Sequence, residues 1–404
     1  MQDKPKKKLE EMVRHQSLVA PRISLTHRRL NPLEKMGRNE RCWCLSGKKF
    51  KHCHLIRETL EPINAFEQEQ RMFAELREGY CSLPKTDGEN PCSSTITKAH
   101  TIQKRGGLDT IAESNHVLTV KPLMKDLIQS SGNPKPRKIG LNNASVFPGF
   151  CSKHDSETFK PIEGKSLNLD TQSAFLFSYR AVAYERFSKE AEGRFIAIMK
   201  EVADRGQPFW KQAAMQSLLY DVSFGVDLGK REINRVKESF DRLLLDDSYE
   251  GFHYFAIRFD QVLPVVACCA FQPEFDLTGV RLQQLGQDKV ELDNITITVT
   301  PFEGNTIAVL GWIGPENGPA RSLSNSFLSI EKARIADALI RLLFIHSDNI
   351  FLNPTWWDDL PERNKVALSN MTRSGTLARE RTASEYTNTS LQLSSAAAIE
   401  TVTG

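Results

Sequence analysis

The sequence predicts an α+β protein: small zinc modules on the N-terminal side, then helices packed with a mainly antiparallel sheet. Three observations predict it. Cys42, Cys44, Cys53, Cys81, Cys92 and Cys151, six of the eight cysteines, precede residue 152 and lie among histidines at metal-ligand spacing. From about residue 174, apolar residues recur at three- and four-residue steps, the period of a helix face. Between Phe252 and Trp312 they form short alternating runs bounded by turn residues, the period of a strand.

A chain of 404 residues has room for two or three domains. Composition is that of a globular protein, 40% hydrophobic and 25% charged. No apolar run approaches the roughly 18 residues of a membrane span. The longest, Val262 to Phe271, is interrupted by Pro264. Lysines near the start are followed by no apolar stretch, so a secretory signal is not expected. Cysteines in a chain that is not exported point to a reducing, cytoplasmic compartment and to metal binding rather than disulfides. Charge is unevenly spread. Residues 1–54 hold fourteen Lys/Arg against five Asp/Glu, so the remainder of a chain of net charge +3 is acidic. A basic arm joined to a basic finger suits a polyanion such as nucleic acid.

Residues 1–36 lack sustained periodicity and contain Pro5, Pro21 and Pro32, which predicts a basic flexible arm. Residues 37–54 follow as a finger. Cys42, Cys44, Cys53 and His54 have the spacing C-x-C-x8-C-H, and three thiolates with an imidazole close a tetrahedral structural zinc site. Ser46-Gly47 supplies the return between the two pairs. So short a segment buries little apolar surface, so its folding energy is the metal's.

From Gly37-Arg38-Asn39 through Cys42, Cys44, Gly47-Lys48-Lys49-Phe50-Lys51 and Cys53-His54, the segment resembles the SEC-C motif, the zinc-binding tail of the SecA translocation ATPase and of many other bacterial proteins. It departs at Arg41, Trp43 and Leu45, where the family has Pro, Pro and Gly. The resemblance covers about eighteen residues and implies zinc, and by association a protein adaptor role through the finger.

Leu55 to Gly79 reads as one helix, with Leu60, Ile63, Phe66, Met72, Phe73 and Leu76 on its apolar steps. Residues 80–165 then read as a second, treble-clef-like zinc module. Cys81 and Cys92 flank a turn-rich loop, and Cys151 and His154 are spaced to share one face of a helix's first turn. With His100 there are five candidate ligands for four places. The preferred set is Cys81, Cys92, Cys151 and His154; the alternative replaces Cys81 with His100.

The order Cys81, Cys92, His100, Gly106-Gly107, Asn115, Cys151 and His154 is also similar to an HNH nuclease finger. That resemblance implies His100 as general base, Asn115 as its orienter and Mg2+ as catalytic cation. The family's later cation-binding histidine is missing, which leaves Asp155 for that place. The SEC-C segment, Ala99-His100-Thr101, Phe150 to Asp155 and Trp356-Trp357 together resemble a group of uncharacterised bacterial SEC-C proteins, which implies a shared architecture and no activity.

Residues 170–372 read as an α+β domain. Helices are expected over Ala174–Ala203, Trp210–Asp221, Lys230–Leu245 and Ser329–Ile345, and strands over Phe252–Phe259, Leu263–Phe271, Lys289–Val299 and Thr306–Trp312. Cys268 and Cys269 are adjacent in a strand, point to opposite faces, and read as buried thiols. His346 reads as a charge partner of its helix C-terminus, and Trp356-Trp357 as core. Residues 373–404 are Ser/Thr/Ala-rich and read as a disordered tail. No Walker loop, dinucleotide fingerprint or serine-hydrolase elbow occurs. The sequence therefore points to a zinc-binding protein of nucleic acid or a protein partner, with the metal-dependent nuclease and the adaptor as alternatives.

Overall fold

In a computed structural model, the structure describes residues 30–85, 91–121, 135–163, 168–285, 290–376, 381–387 and 390–404. Most of the basic arm, residues 1–29, lies outside them. The finger ends in a 3-10 turn at Phe50–His52, and a second such turn follows at Arg57–Thr59. Helix α1 spans Ala65–Glu75, not the whole of 55–79. Pro62 removes a helical donor, and Asn64 starts the helix afresh by accepting the Glu67 N–H at 2.9 Å.

Strands β1 (Ile96–His100), β2 (His116–Thr119), β3 (Arg137–Gly140) and β4 (Val146–Cys151) come next, then the short helix α2 (Ser152–Thr158). β1 pairs antiparallel with β4, Ile96 opposite Cys151. Helices α3 (Thr171–Val202) and α4 (Phe209–Leu245) form a long hairpin. α3 is capped by Asp170, which accepts the Ser173 N–H at 2.8 Å. α4 runs unbroken through Gly225 and Gly229, where the apolar pattern predicts two helices. Packing along α3 outweighs the two glycines, whose cost is about 1 kcal/mol each.

The remaining elements are β5 (Phe252–Phe259), β6 (Val265–Phe271), β7 (Ile295–Phe302), β8 (Asn305–Ile313), α5 (Pro319–Ser326), α6 (Ile335–His346), β9 (Ile350–Leu352), α7 (Pro354–Asp359), α8 (Glu362–Thr376), α9 (Ala383–Thr387) and β10 (Ala398–Thr403). Eight strands make one sheet in the order β10-β5-β8-β7-β6-β9-β2-β3. Every pair in it is antiparallel. Alternation sorts its side chains into two cores. Phe255, Ile257 and Phe259 face Leu339 and Leu343 of α6. Phe252, Tyr254 and Ala256 face Phe175, Tyr179 and Val182 of α3. Gly311 lets α3 approach closely, because a Cβ there would stand 2.1 Å from Ser178 Oγ.

Two boundaries differ from those the sequence predicts. β2 and β3, from residues 80–165, join the large sheet beside β9, so that module is not separate. The predicted disordered tail carries α9 and then β10, which lies along β5 with Val402 opposite Ala256. An edge strand needs main-chain pairing and a few apolar anchors, here the buried Leu391, Leu393, Ala396 and Ala398, which a Ser/Thr-rich composition hides. Cys268 and Cys269 are both buried. Trp357 is buried with its ring stacked on Phe344, and Trp356 Nε1 donates to the Leu393 carbonyl at 2.8 Å.

Candidate metal centres

The finger folds as a small loop. Cys42 N–H donates to the Lys48 carbonyl at 2.9 Å and Phe50 N–H to that of Glu40 at 2.8 Å. Leu45 N–H closes back on the Cys42 carbonyl at 3.1 Å, and the return uses left-handed backbone at Leu45 (φ +61°) and Gly47 (φ +75°). This brings Cys42, Cys44, Cys53 and His54 together, with one ligand atom from each within 4.8 Å of the others. His54 Nδ1 lies 3.2 Å from Cys42 Sγ and 3.3 Å from Cys53 Sγ, and Cys44 and Cys53 Sγ are 3.6 Å apart. A zinc tetrahedron with bonds of about 2.3 Å to sulfur and 2.0 Å to nitrogen needs edges of about 3.5–3.8 Å. The donor set fits that ion.

The finger is seated on the end of the α3–α4 hairpin where the chain turns from one helix into the other. Trp43, Phe50 and Cys53 are buried with Phe209 and Ala213 of α4 packed against them. Between the helices, Asp204 accepts from His54 Nε2 at 3.0 Å, Arg57 at 2.5 Å and Gln216 at 3.0 Å. Burial opposes a charge on His54, but Asp204 and the neighbouring thiols push its pKa up to about 10.

A second group forms where residues 80–82 and 92–95 meet β4 and α2. Tyr80 and Ser82 N–H donate to the Pro148 and Gly149 carbonyls, fixing Cys81 between them. Ser93 Oγ lies 2.9 Å from Ser152 Oγ, which ties the Cys92 side to the start of α2. Cys151 is the N-cap of α2 and His154 follows in its first turn. Cys81, Cys92, Cys151 and His154 all offer ligand atoms within 4.8 Å of one another. Sγ of Cys81 and of Cys92 stand 3.4 and 3.7 Å from His154 Nδ1. Burial pushes the Cys81 thiol up to about 11, whereas burial is outweighed at Cys151, where the His154 backbone and Ser93 bring the thiol down to about 7. Among the described residues His100 joins neither group; Cys81, not His100, completes the second.

His100 ends β1. Burial and the Arg180 guanidinium hold it below the ordinary histidine range, and among the described residues its buried Nε2 has no partner. Arg180, itself buried, donates to Glu163 at 2.6 Å and covers the Phe159 ring. Asp155 Oδ1 is likewise buried without a partner. Asn115 is exposed in a left-handed turn with Ser114, at φ +60°, and its carbonyl accepts from Leu141 N–H. Among the described residues no hydrogen bond joins it to His100, so the orienter expected from the HNH resemblance is not at hand.

Residues 38–55 match the SEC-C motif. Over 21 residues the chain is 81% identical to protein translocase subunit SecA of Pseudomonas putida and of Pseudomonas savastanoi pv. phaseolicola. The shared stretch is 5% of this chain and spans only 2% of the SecA length. No solved structure matches the chain.

Two residues that support these groups were not legible. Asp204 lies 150 positions from His54. Lys237 donates to the Ser82 carbonyl and the Tyr179 hydroxyl, both at 2.8 Å, and to Asp241, clamping the Cys81 segment onto α3 and α4. Each lies within a helical hairpin far along the chain, and no local pattern marks it.

Proposed function

We propose that each group of three cysteines and one histidine holds one structural zinc ion, and that the SEC-C finger presents a basic surface to nucleic acid. The convergence of two complete four-donor sets carries this reading. Each set closes a tetrahedron with no open position, so the zinc would fix shape and do no chemistry. Lys35, Arg38, Arg41 and Lys49 are exposed on the finger, while Lys48 is engaged with Glu201 at 2.7 Å. Cations held on a metal-fixed scaffold suit phosphates.

The test is binding of the full chain to a labelled duplex and a single strand by anisotropy across a salt series. Affinity is expected to fall steeply with salt, and Arg38→Glu with Lys49→Glu to flatten that slope by about two contacts. Binding that ignores both salt and the substitutions overturns the reading and leaves the finger to a protein partner.

One observation favours a second reading, a metal-dependent HNH-like nuclease. His100 Nε2 and Asp155 Oδ1 are both buried and, among the described residues, unpartnered, and Arg180 and Glu163 act on both. A neutral imidazole with a free nitrogen is the form a general base requires, and Asp155 would help to hold Mg2+. Plasmid nicking that needs Mg2+ and is lost in His100→Ala would support it. Nicking that persists in that variant, or none at any divalent ion, sinks it.

A further inference from the structure

We infer that Asp204 is the positioning residue of the SEC-C metal site, so that the α3–α4 hairpin sets how tightly residues 42–54 hold their ion. This rests on the reading that those residues bind zinc. His54 presents Nδ1 to the thiols of Cys42 and Cys53 at 3.2 and 3.3 Å. Nδ1 is therefore the ligand atom, and Nε2 keeps its proton. That proton points away from the metal position, at Asp204 Oδ2, 3.0 Å distant.

Asp204 is completely buried, and its remaining capacity is filled. Oδ1 accepts from Arg57 Nη1 at 2.5 Å and Oδ2 also from Gln216 Nε2 at 3.0 Å. Arg57 in turn reaches Cys53 Sγ with Nη2 at 3.5 Å, so one carboxylate supports two ligands, one directly and one through the guanidinium. Gln216, on α4, donates also to the Lys200 carbonyl on α3 at 2.8 Å, and Gly206 N–H donates to the Arg57 carbonyl at 2.9 Å. The carboxylate thus sits at the junction of three segments. A carboxylate on the outer nitrogen of a ligand histidine fixes its tautomer and ring orientation and raises its basicity. Among the described residues the second Cys/His group has no such support: His154 Nε2 is buried without a partner there. The two sites of one chain therefore differ in one defined respect, and the second is an internal control for the first.

The experiment loads the full chain with zinc and titrates it with a competing chelator, in wild type and in Asp204→Asn. Asparagine keeps the shape and an acceptor oxygen but lacks the charge. The expected result is that one ion of two weakens by about 10- to 100-fold and the other holds its affinity, with far-UV circular dichroism unchanged. Equal affinities for both ions in the two proteins overturn the inference. A second measurement needs no variant: in zinc-loaded wild type, 15N spectra of the His54 ring should show Nδ1 bound to metal and Nε2 protonated and slow to exchange. Metal on Nε2 overturns the inference whatever the variant does. Wild type that takes up no zinc at residues 42–54 sinks the underlying reading as well, and is told apart because the unsubstituted chain already fails.

Discussion

The Trp43 indole stands edge-on to Phe209, ring centroids 6.0 Å apart and planes at 79°. Its other side lies against the His54 ring, centroids 4.3 Å apart. Trp43 occupies a position where the SEC-C family has proline. It is the apolar link between the finger and α4, so this finger is docked onto its own chain. Trp43→Ala is predicted to cost about 3 kcal/mol, read as a lowered urea midpoint, with earlier proteolysis between residues 30 and 60. Among the described residues the buried indole Nε1 has no partner, so Trp43→Phe should be nearly neutral by the same measurement. Equal midpoints for wild type and Trp43→Ala would mean that the docking contributes nothing.

Leu45 stands where the family has glycine, and its backbone is left-handed at φ +61° with the side chain exposed. A Cβ in that region costs about 1–2 kcal/mol, and little packing is lost on removing it. Leu45→Gly is expected to stabilise the finger by about 1 kcal/mol, partly offset by unfolded-chain entropy. A lower melting temperature for that variant would show that Leu45 makes contacts outweighing its strain.

His346 ends α6 as the sequence predicts, but its surroundings oppose the positive charge expected of it there. Its ring stacks on Phe271 at 3.8 Å between centroids, with Arg381 and Tyr386 on its nitrogens. Burial first, and then Arg381, push its pKa well below the ordinary 6.5. A depressed folded-state pKa contributes stability that is present above pH 6.5 and is lost as acid protonates the folded ring. Stability of wild type should therefore fall on acidification below pH 6.5 more steeply than that of His346→Phe. Parallel pH curves for the two proteins would rule out this origin.

Lys237 is buried and holds the Cys81 segment through the Ser82 carbonyl, with Asp241 as its counter-ion. Lys237→Met leaves that carbonyl and carboxylate with the Tyr179 hydroxyl, at 3.3 and 2.7 Å, but without the ammonium, and is predicted to cost about 3 kcal/mol and to loosen the second metal site. Urea unfolding and zinc retention under chelator check both effects; a change in neither would make the clamp incidental.

The sequence made plain what local pattern controls. Cys42, Cys44, Cys53 and His54 are legible because their spacing is itself the site, and the strands from Phe252 to Trp312 because alternation reports burial directly. Cys81, Cys92, Cys151 and His154 were preferred as a set from spacing, with His100 for Cys81 as the alternative, and the main-chain bonds of residues 80–82 to β4 show how Cys81 comes to lie in the group. What escaped depends on distant partners. The edge strand β10 exists because β5 offers it main-chain groups, α4 is continuous because α3 supports it, and Asp204 and Lys237 gain meaning only when the hairpin closes. Asn115 takes left-handed backbone at its turn, a use of asparagine that sequence alone does not separate from a catalytic one.

Zinc content per chain, measured on purified wild type, Cys53→Ser and Cys151→Ser, tests the central claim most directly. Two metal centres predict two ions in wild type and one in each variant, a different one retained in each. One ion in wild type that persists in Cys151→Ser would contradict the second centre and leave the SEC-C finger as the sole metal site.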